Sequence, residues 1–400
     1  SPLRHAVRPS QYDEISNLYT ATVYEKGAEL IRMLHTMIGD TAFRAGMDLY
    51  FDRHDGDAAT MEEFLACFPV PDADTFFRWY QEPGSPKVEV EETTDDTGTV
   101  VTLRQVPPPG GSAKPIPVRV AMWTDDGKQT PFVVEGTSPS GDVVILGADP
   151  VTITAKGASV ASLLRGFSAP VIIARPDNLE RDLKLLAVED DAFSAWDAAQ
   201  RLAIAAMTAA YSTGAPDVGP LAVALASAVS RDDSEPALRG LLLTPPTKAA
   251  LINAIGSDVD AERIEAAHGA YTAALGDALA DTLATIRKAP APAADDVSAE
   301  AAGQRLLRNA ALLLQARAGI TDEAAEQALS AKSMTDRLAG LSALAAAHAP
   351  QTDSALDKLF ADYGDEALVL DKYFALQAMR TDGDALARVE GLTHHPAFTA

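Results

Sequence analysis

The apolar residues change their spacing twice along the 400 residues of this chain, and the two changes limit what it can fold into. Through residues 1–86 they recur at helical intervals. From Lys87 the period becomes 2: Val88 and Val90 alternate with Glu89 and Glu91, and Ile116, Val118, Val120 and Met122 alternate with Pro117, Arg119 and Ala121. From about Asp177 the spacing is helical again. Pro83-Gly84-Ser85-Pro86 marks the first change, because two prolines around a glycine stop a helix. A single core does not extend over this length, so two or three domains are expected. The reading is a multidomain α+β chain: helices over 1–86, a small antiparallel β-sandwich over 87–176, and an α-helical superhelix or solenoid over 177–400.

Each region carries its own signals. Thr22-Val23-Tyr24-Glu25 and Thr60-Met61-Glu62-Glu63 both fit the T-x-x-E capping box, so helices are expected to start with Thr22 and Thr60 as N-caps. The first would bury the face made by Ala28, Ile31, Leu34/His35 and Ile38, flanked by Val23, Leu30, Met33 and Met37, and would end at Gly39. A second helix with Phe43, Met47, Tyr50 and Phe51 on one face ends near His54. A short aromatic helix carries Phe76, Phe77, Trp79 and Tyr80. In the middle region about seven strands are expected, among them Val100–Val106, Pro131–Glu135, Val143–Leu146, Val151–Thr154 and Pro170–Ala174, and nothing there points to chemistry. The last region is Ala/Leu-rich, with helix starts at Asp191, Asp322 and Asp353. It stops at Phe398-Thr399-Ala400 without a polar capping helix, which suggests that the helical array continues further.

Charge and cysteine content narrow the function. The net charge of −24 argues against nucleic acid or an anionic membrane as a partner, since both need a basic surface. With a single cysteine, Cys67, there is no internal disulfide and no cysteine-type zinc site, and a reducing, cytoplasmic setting fits. Cys67 itself reads as a small buried hydrophobe. The seven histidines (His5, His35, His54, His268, His348, His394, His395) are scattered, and no HExxH pair occurs. His35 reads as a satisfied core histidine, His54 with Asp52, Asp55 and Asp57 as a solvated helix end, and His394-His395 as a pair without a partner. No metal ligand set is expected in this chain.

Tyr24 is the residue that most invites a chemical role. At the start of a helix it would sit where free N–H groups and the helix dipole create positive potential. Core packing with a locally satisfied hydroxyl is the ordinary alternative. Glu25 and Lys26 read most simply as cap and surface charge.

The segment Tyr19-Thr20-Ala21-Thr22-Val23-Tyr24-Glu25-Lys26-Gly27-Ala28-Glu29 resembles the segment that carries the catalytic tyrosine in aminopeptidase N enzymes, zinc metallopeptidases of the HExxH class. Further stretches resemble the bacterial alanyl-type subgroup: Tyr50-Phe51-Asp52-Arg53-His54-Asp55-Gly56, Arg78-Trp79-Tyr80 with Gly84-Ser85-Pro86, Trp196-Asp197-Ala198-Ala199-Gln200, Leu307-Arg308-Asn309-Ala310, Met334-Thr335-Asp336 and Asp371-Lys372-Tyr373-Phe374. The resemblance implies that 1–86 is the C-terminal part of a thermolysin-like catalytic domain, followed by the sandwich and most of the helical domain. It implies that Tyr24 donates its phenolic O–H to the oxyanion of the tetrahedral intermediate, and that Tyr19 lines the pocket for the substrate's first side chain. For Tyr19 a packed core aromatic is the competing reading. It further implies one zinc ion in the parent enzyme, short peptides as substrates, and a chain that begins just after the zinc ligands. That chain is expected to be inactive alone and to depend on the N-terminal part of the same protein. Two other readings stay open: a sandwich-plus-solenoid interaction scaffold without catalysis, and a relative that kept the fold and changed its chemistry.

Overall fold

The computed structural model describes residues 5–136, 139–231 and 233–398. The predicted end at Thr399-Ala400 lies outside the described residues. The chain forms two compact units, 1–195 and 196–400.

In the first unit a π-helical turn, Thr22–Lys26, runs into α1 (Gly27–His54), which bends at Gly39 where φ is +78°. That bend is the expected end of the first helix. The Thr60 capping box is formed in both directions: Glu63 N donates to Thr60 Oγ1 and the Glu63 carboxylate accepts from Thr60 N. It opens α2 (Met61–Leu65), so Cys67 lies just past the helix, buried, with its thiol donating to Glu63 O at 3.3 Å. Next comes α3 (Ala73–Gln81), capped by Asp72 and ending before the Pro83–Pro86 break.

Nine strands follow among the described residues: β1 (Lys87–Asp95), β2 (Gly98–Val106), β3 (Ile116–Trp123), β4 (Gln129–Thr130), β5 (Val133–Val134), β6 (Val143–Leu146), β7 (Val151–Lys156), β8 (Val160–Leu163) and β9 (Ile172–Ala174). One sheet has the order β5-β7-β2-β1-β9, and in the other β4, β6 and β8 all pair with β3. The expected alternation holds in β1, where Val88 and Val90 are buried and Glu89 and Glu91 exposed. The sheet departs from the antiparallel expectation at one edge, because β9 pairs with β1 in parallel, Lys87 opposite Ile172. β3 is covered on both faces; only Arg119 reaches the outside, held by Asp142. Helices and strands share one core: Leu30, Met33 and Leu34 of α1 and Phe76, Trp79 and Tyr80 of α3 join the inward faces of both sheets in a continuous buried cluster.

The start of α1 differs from the sequence expectation, for a physical reason. Thr22 is not the N-cap. It is buried in the π turn with its hydroxyl unpartnered, while Val23 N donates to Thr20 Oγ1 at 3.3 Å and Tyr24 N to Thr20 O at 3.1 Å. Thr20 therefore caps the helix. The buried stripe runs through Thr22, Lys26, Leu30, Met33 and Leu34, which turns Tyr24, Ala28 and Ile31 outward from the expected face. Thr20→Ala is expected to lower the urea midpoint of this unit by an amount equal to about 1 kcal/mol, the usual value of a cap. Thr22→Val, which removes an unpartnered buried hydroxyl at nearly constant shape, is expected to cost less. A larger cost for Thr22→Val would reverse the cap assignment.

The second unit is all helix. Within it α4 (Pro236–Leu243), α5 (Ala261–Ala278), α7 (Asp322–Ser330) and α8 (Met334–Ala346) all pack on α6 (Ala299–Arg317). The helices approach closely where glycine allows it: a Cβ on Gly340 would lie 2.8 Å from Ala324 O and 2.6 Å from Ala328 N. Two stretches singled out in the sequence meet here, since Asn309 donates to Asp336 Oδ1 at 3.0 Å, and Asn309 also accepts from Gln327 at 2.9 Å. His395, expected to stand alone, packs its ring on Phe360 and Phe374, and His394 bonds Glu390 O through Nδ1.

Candidate active site

The π-helical turn presents Tyr24. Such turns are rare and recur at functional positions, because the extra residue swings one side chain off the regular helical face. Tyr24 is 57% exposed and Tyr19 68% exposed, and their rings stack at 6.1 Å with a 24° interplanar angle. Tyr12 and Ile15, also largely exposed, lie just before them in the chain. Neither tyrosine is the packed core aromatic of the competing sequence reading. The structure therefore brings the two predicted site residues together on one open face.

Their neighbours were not singled out by the sequence. Thr20, the cap, is 3.2 Å from His5 Nε2, while His5 Nδ1 lies 2.8 Å from Ala6 O. A carbonyl only accepts, so Nδ1 carries the proton, Nε2 accepts from the Thr20 hydroxyl, and that hydroxyl in turn accepts from Val23 N. Nothing in the local sequence around His5 signals this relay.

Lys26 corrects the surface-charge expectation. It is 6% exposed, donates to Gly84 O at 2.6 Å, and lies 6.0 Å from the centroid of the Trp79 ring. Lys114 stands 5.7 Å from the same ring and pairs with Glu82 at 2.5 Å. Burial first, and the Lys114 charge second, pull the Lys26 ammonium from 10.5 down to about 8. Arg32, one turn further along α1, donates to Gly166 O and Phe167 O and pairs with Glu29, fixing the helix to the loop after β8.

His35 is a correction as well: it is half-exposed, paired with Asp40 at 2.7 Å and packed on Phe43, not enclosed in the core. Among the described residues no group of three or more His, Cys, Asp or Glu stands close enough to hold a metal ion. These side chains do not fit a zinc site, and the chemistry assigned to this chain is limited to donors and packing surfaces.

Residues 1–74 match the profile described as the peptidase family M1 domain, and residues 180–400 match the one described as "Domain of unknown function (DUF3458_C) ARM repeats". Over nearly its whole length the chain is similar to curated proteins named aminopeptidase N: 37% identical to that of Caulobacter vibrioides over 99% of this chain, and 35% identical to that of Escherichia coli over all of it. It spans 47% and 48% of those relatives. The crystal structure of Legionella pneumophila aminopeptidase A in complex with aspartic acid matches 98% of this chain and 47% of that one, with a TM-score of 0.83 at 22% identity, and so shares the fold. The chain belongs to the family described by the DUF3458_C ARM-repeat profile, and over its whole length it matches part of aminopeptidase N.

Proposed function

We propose that the whole protein is a zinc-dependent aminopeptidase that releases N-terminal residues from short peptides, with Tyr24 as the oxyanion donor contributed by this chain. The observation that carries the reading is the pairing of an end-to-end match to aminopeptidase N with the placement of Tyr24 on an exposed π-helical turn. A phenol aimed at the developing oxyanion stabilises the tetrahedral intermediate more than the ground state, which is what accelerates the chemical step. Tyr19, stacked on Tyr24, forms one wall of the pocket for the substrate's first side chain.

Residues 1–86, 87–176 and 177–400 serve as the C-terminal part of the catalytic domain, a structural sandwich and the helical domain. The described residues supply no ligand set, so the zinc ion is held by another part of the protein, and that part is the partner this chain needs. No described helix is long and apolar enough to cross a membrane, and the net charge of −24 disfavours nucleic acid and anionic lipid. A cytoplasmic setting fits.

The test is hydrolysis of an alanyl-anilide by this 400-residue chain with added zinc, beside the whole protein. Turnover by the whole protein and none by the chain is the expected result. Zinc-dependent turnover by the chain alone would sink the division of labour, and no turnover by either would sink the peptidase reading.

A further inference from the structure

The polar groups around the π turn raise the question of what holds this unfavourable backbone in place. A π turn has poorer hydrogen bonds than an α-helix and persists only where something outside it fixes its register. Lys26 is its last residue, and it donates to the Gly84 carbonyl. Gly84 has φ +86°, a conformation glycine adopts freely, and a Cβ there would lie 2.8 Å from the Pro108 ring. Its carbonyl therefore points where the loop dictates, and the buried ammonium is set against it.

We propose that Lys26 is a positioning residue of the aminopeptidase reaction, its ammonium clamping the π turn to the Gly84 carbonyl so that the Tyr24 hydroxyl is held in reactive register. The inference rests on the proposed role of Tyr24. Thr22, four residues before Lys26 on the same buried stripe, has an unpartnered hydroxyl, so Lys26 is the side chain of the turn that makes a polar bond into the core. The Trp79 ring supports the Lys26 ammonium through its face, and it also lies against the Lys114 ammonium.

The charged group that acts on Lys26 is Lys114, which is held by the Glu82 carboxylate. Glu82 accepts from Ser112 N and Oγ as well as from Lys114, so its charge is already engaged. Burial, and next the Lys114 charge, pull the Lys26 ammonium from the ordinary 10.5 down to about 8. Activity and stability then move in opposite directions. Deprotonation weakens the clamp, so activity falls above about pH 8. The unfolded chain keeps that proton up to about 10.5, so this group's contribution to stability rises between about pH 8 and 10.5. A side chain that served stability alone would not produce an activity loss in a window where its burial penalty is being relieved.

The experiment is a double-mutant cycle in the whole protein with an alanyl-anilide as substrate, read as kcat, KM and the pH profile of kcat/KM. Lys26→Met is expected to lower kcat by about 10- to 100-fold, the scale of a misplaced catalytic group, with KM changed less than about threefold. On the Tyr24→Phe background the same change is expected to cost less than about threefold, because the group it positions is already gone. Lys26→Arg, which keeps its charge at all accessible pH, is expected to retain most of kcat and to move the alkaline limb upward. The substrate amine contributes the same limb to every variant, so the shift is read as a difference. If Lys26→Met fails to fold, the Lys26→Arg profile alone decides. Equal losses on both backgrounds, or an unmoved limb in Lys26→Arg, would overturn the proposal. If Tyr24→Phe alone leaves kcat unchanged, the underlying reading has failed instead, and that is visible before the cycle is completed.

Discussion

Tyr24→Phe in the whole protein is expected to lower kcat for alanyl-anilide hydrolysis by about 10²–10³-fold, or roughly 3–4 kcal/mol, the usual consequence of removing one oxyanion donor. The substitution is informative because of where the ring sits. Tyr24 is 57% exposed and stacks on Tyr19 at 6.1 Å, so phenylalanine keeps the ring, the stack and the backbone of the π turn. Only the hydroxyl is lost, and it makes no hydrogen bond among the described residues. The unfolding midpoint should therefore stay within experimental error. KM should change by no more than a few-fold, since the interaction is made chiefly in the transition state. Tyr19→Ala gives the complementary pattern, with a shift in preference among first-residue side chains at nearly constant kcat for the best substrate. A Tyr24→Phe variant within threefold of the parent kcat would remove Tyr24 from the mechanism.

Local signals were readable in this sequence where the partner of a residue is itself local. The Thr60 capping box, the bend at Gly39 and the alternation of β1 all depend on residues within a few positions of one another, and each is formed. The same T-x-x-E pattern misplaces the first cap, because the pattern does not record that Thr22 faces the core while Thr20 has both an N–H to receive and His5 to bind. Lys26 shows the limit more sharply. Its acceptor, Gly84 O, lies 58 positions away, so a lysine next to an acidic residue at a helix start reads as surface charge until the fold is known. β8 was missed because Val160-Ala161-Ser162-Leu163 has small residues and no alternation, being largely buried on both sides. The parallel edge made by β9 was invisible because Lys87 and Ile172, neighbours in the sheet, are far apart in the sequence. Tyr24 itself was singled out by resemblance, and its exposure on the π turn is what the structure adds. Periodicity alone would have turned it inward.

The largest expected loss of stability comes from Trp79→Ala. Trp79 is 1% exposed, its indole N–H donates to Pro115 O at 3.1 Å, and its ring lies beneath the ammonium groups of both Lys26 and Lys114. Truncation leaves a cavity that costs about 3–5 kcal/mol in a packed core. It also strands the Pro115 carbonyl and removes the aromatic face from two buried cations, and these effects add to the cavity term. Trp79→Phe separates the contributions, since it keeps a ring for the cations and most of the packing while deleting the N–H donor. Its expected cost is nearer 1–2 kcal/mol, the hydrogen bond plus a small void. Circular dichroism during urea unfolding of the whole protein measures both. A Trp79→Ala variant that costs less than about 1 kcal/mol would show that the ring is not the keystone of this junction. Function should follow in the same order, because a looser Lys26 holds the π turn less firmly, with kcat falling further in Trp79→Ala than in Trp79→Phe. Loss of stability without that ordering in kcat would leave the core argument standing and separate it from the positioning of Tyr24.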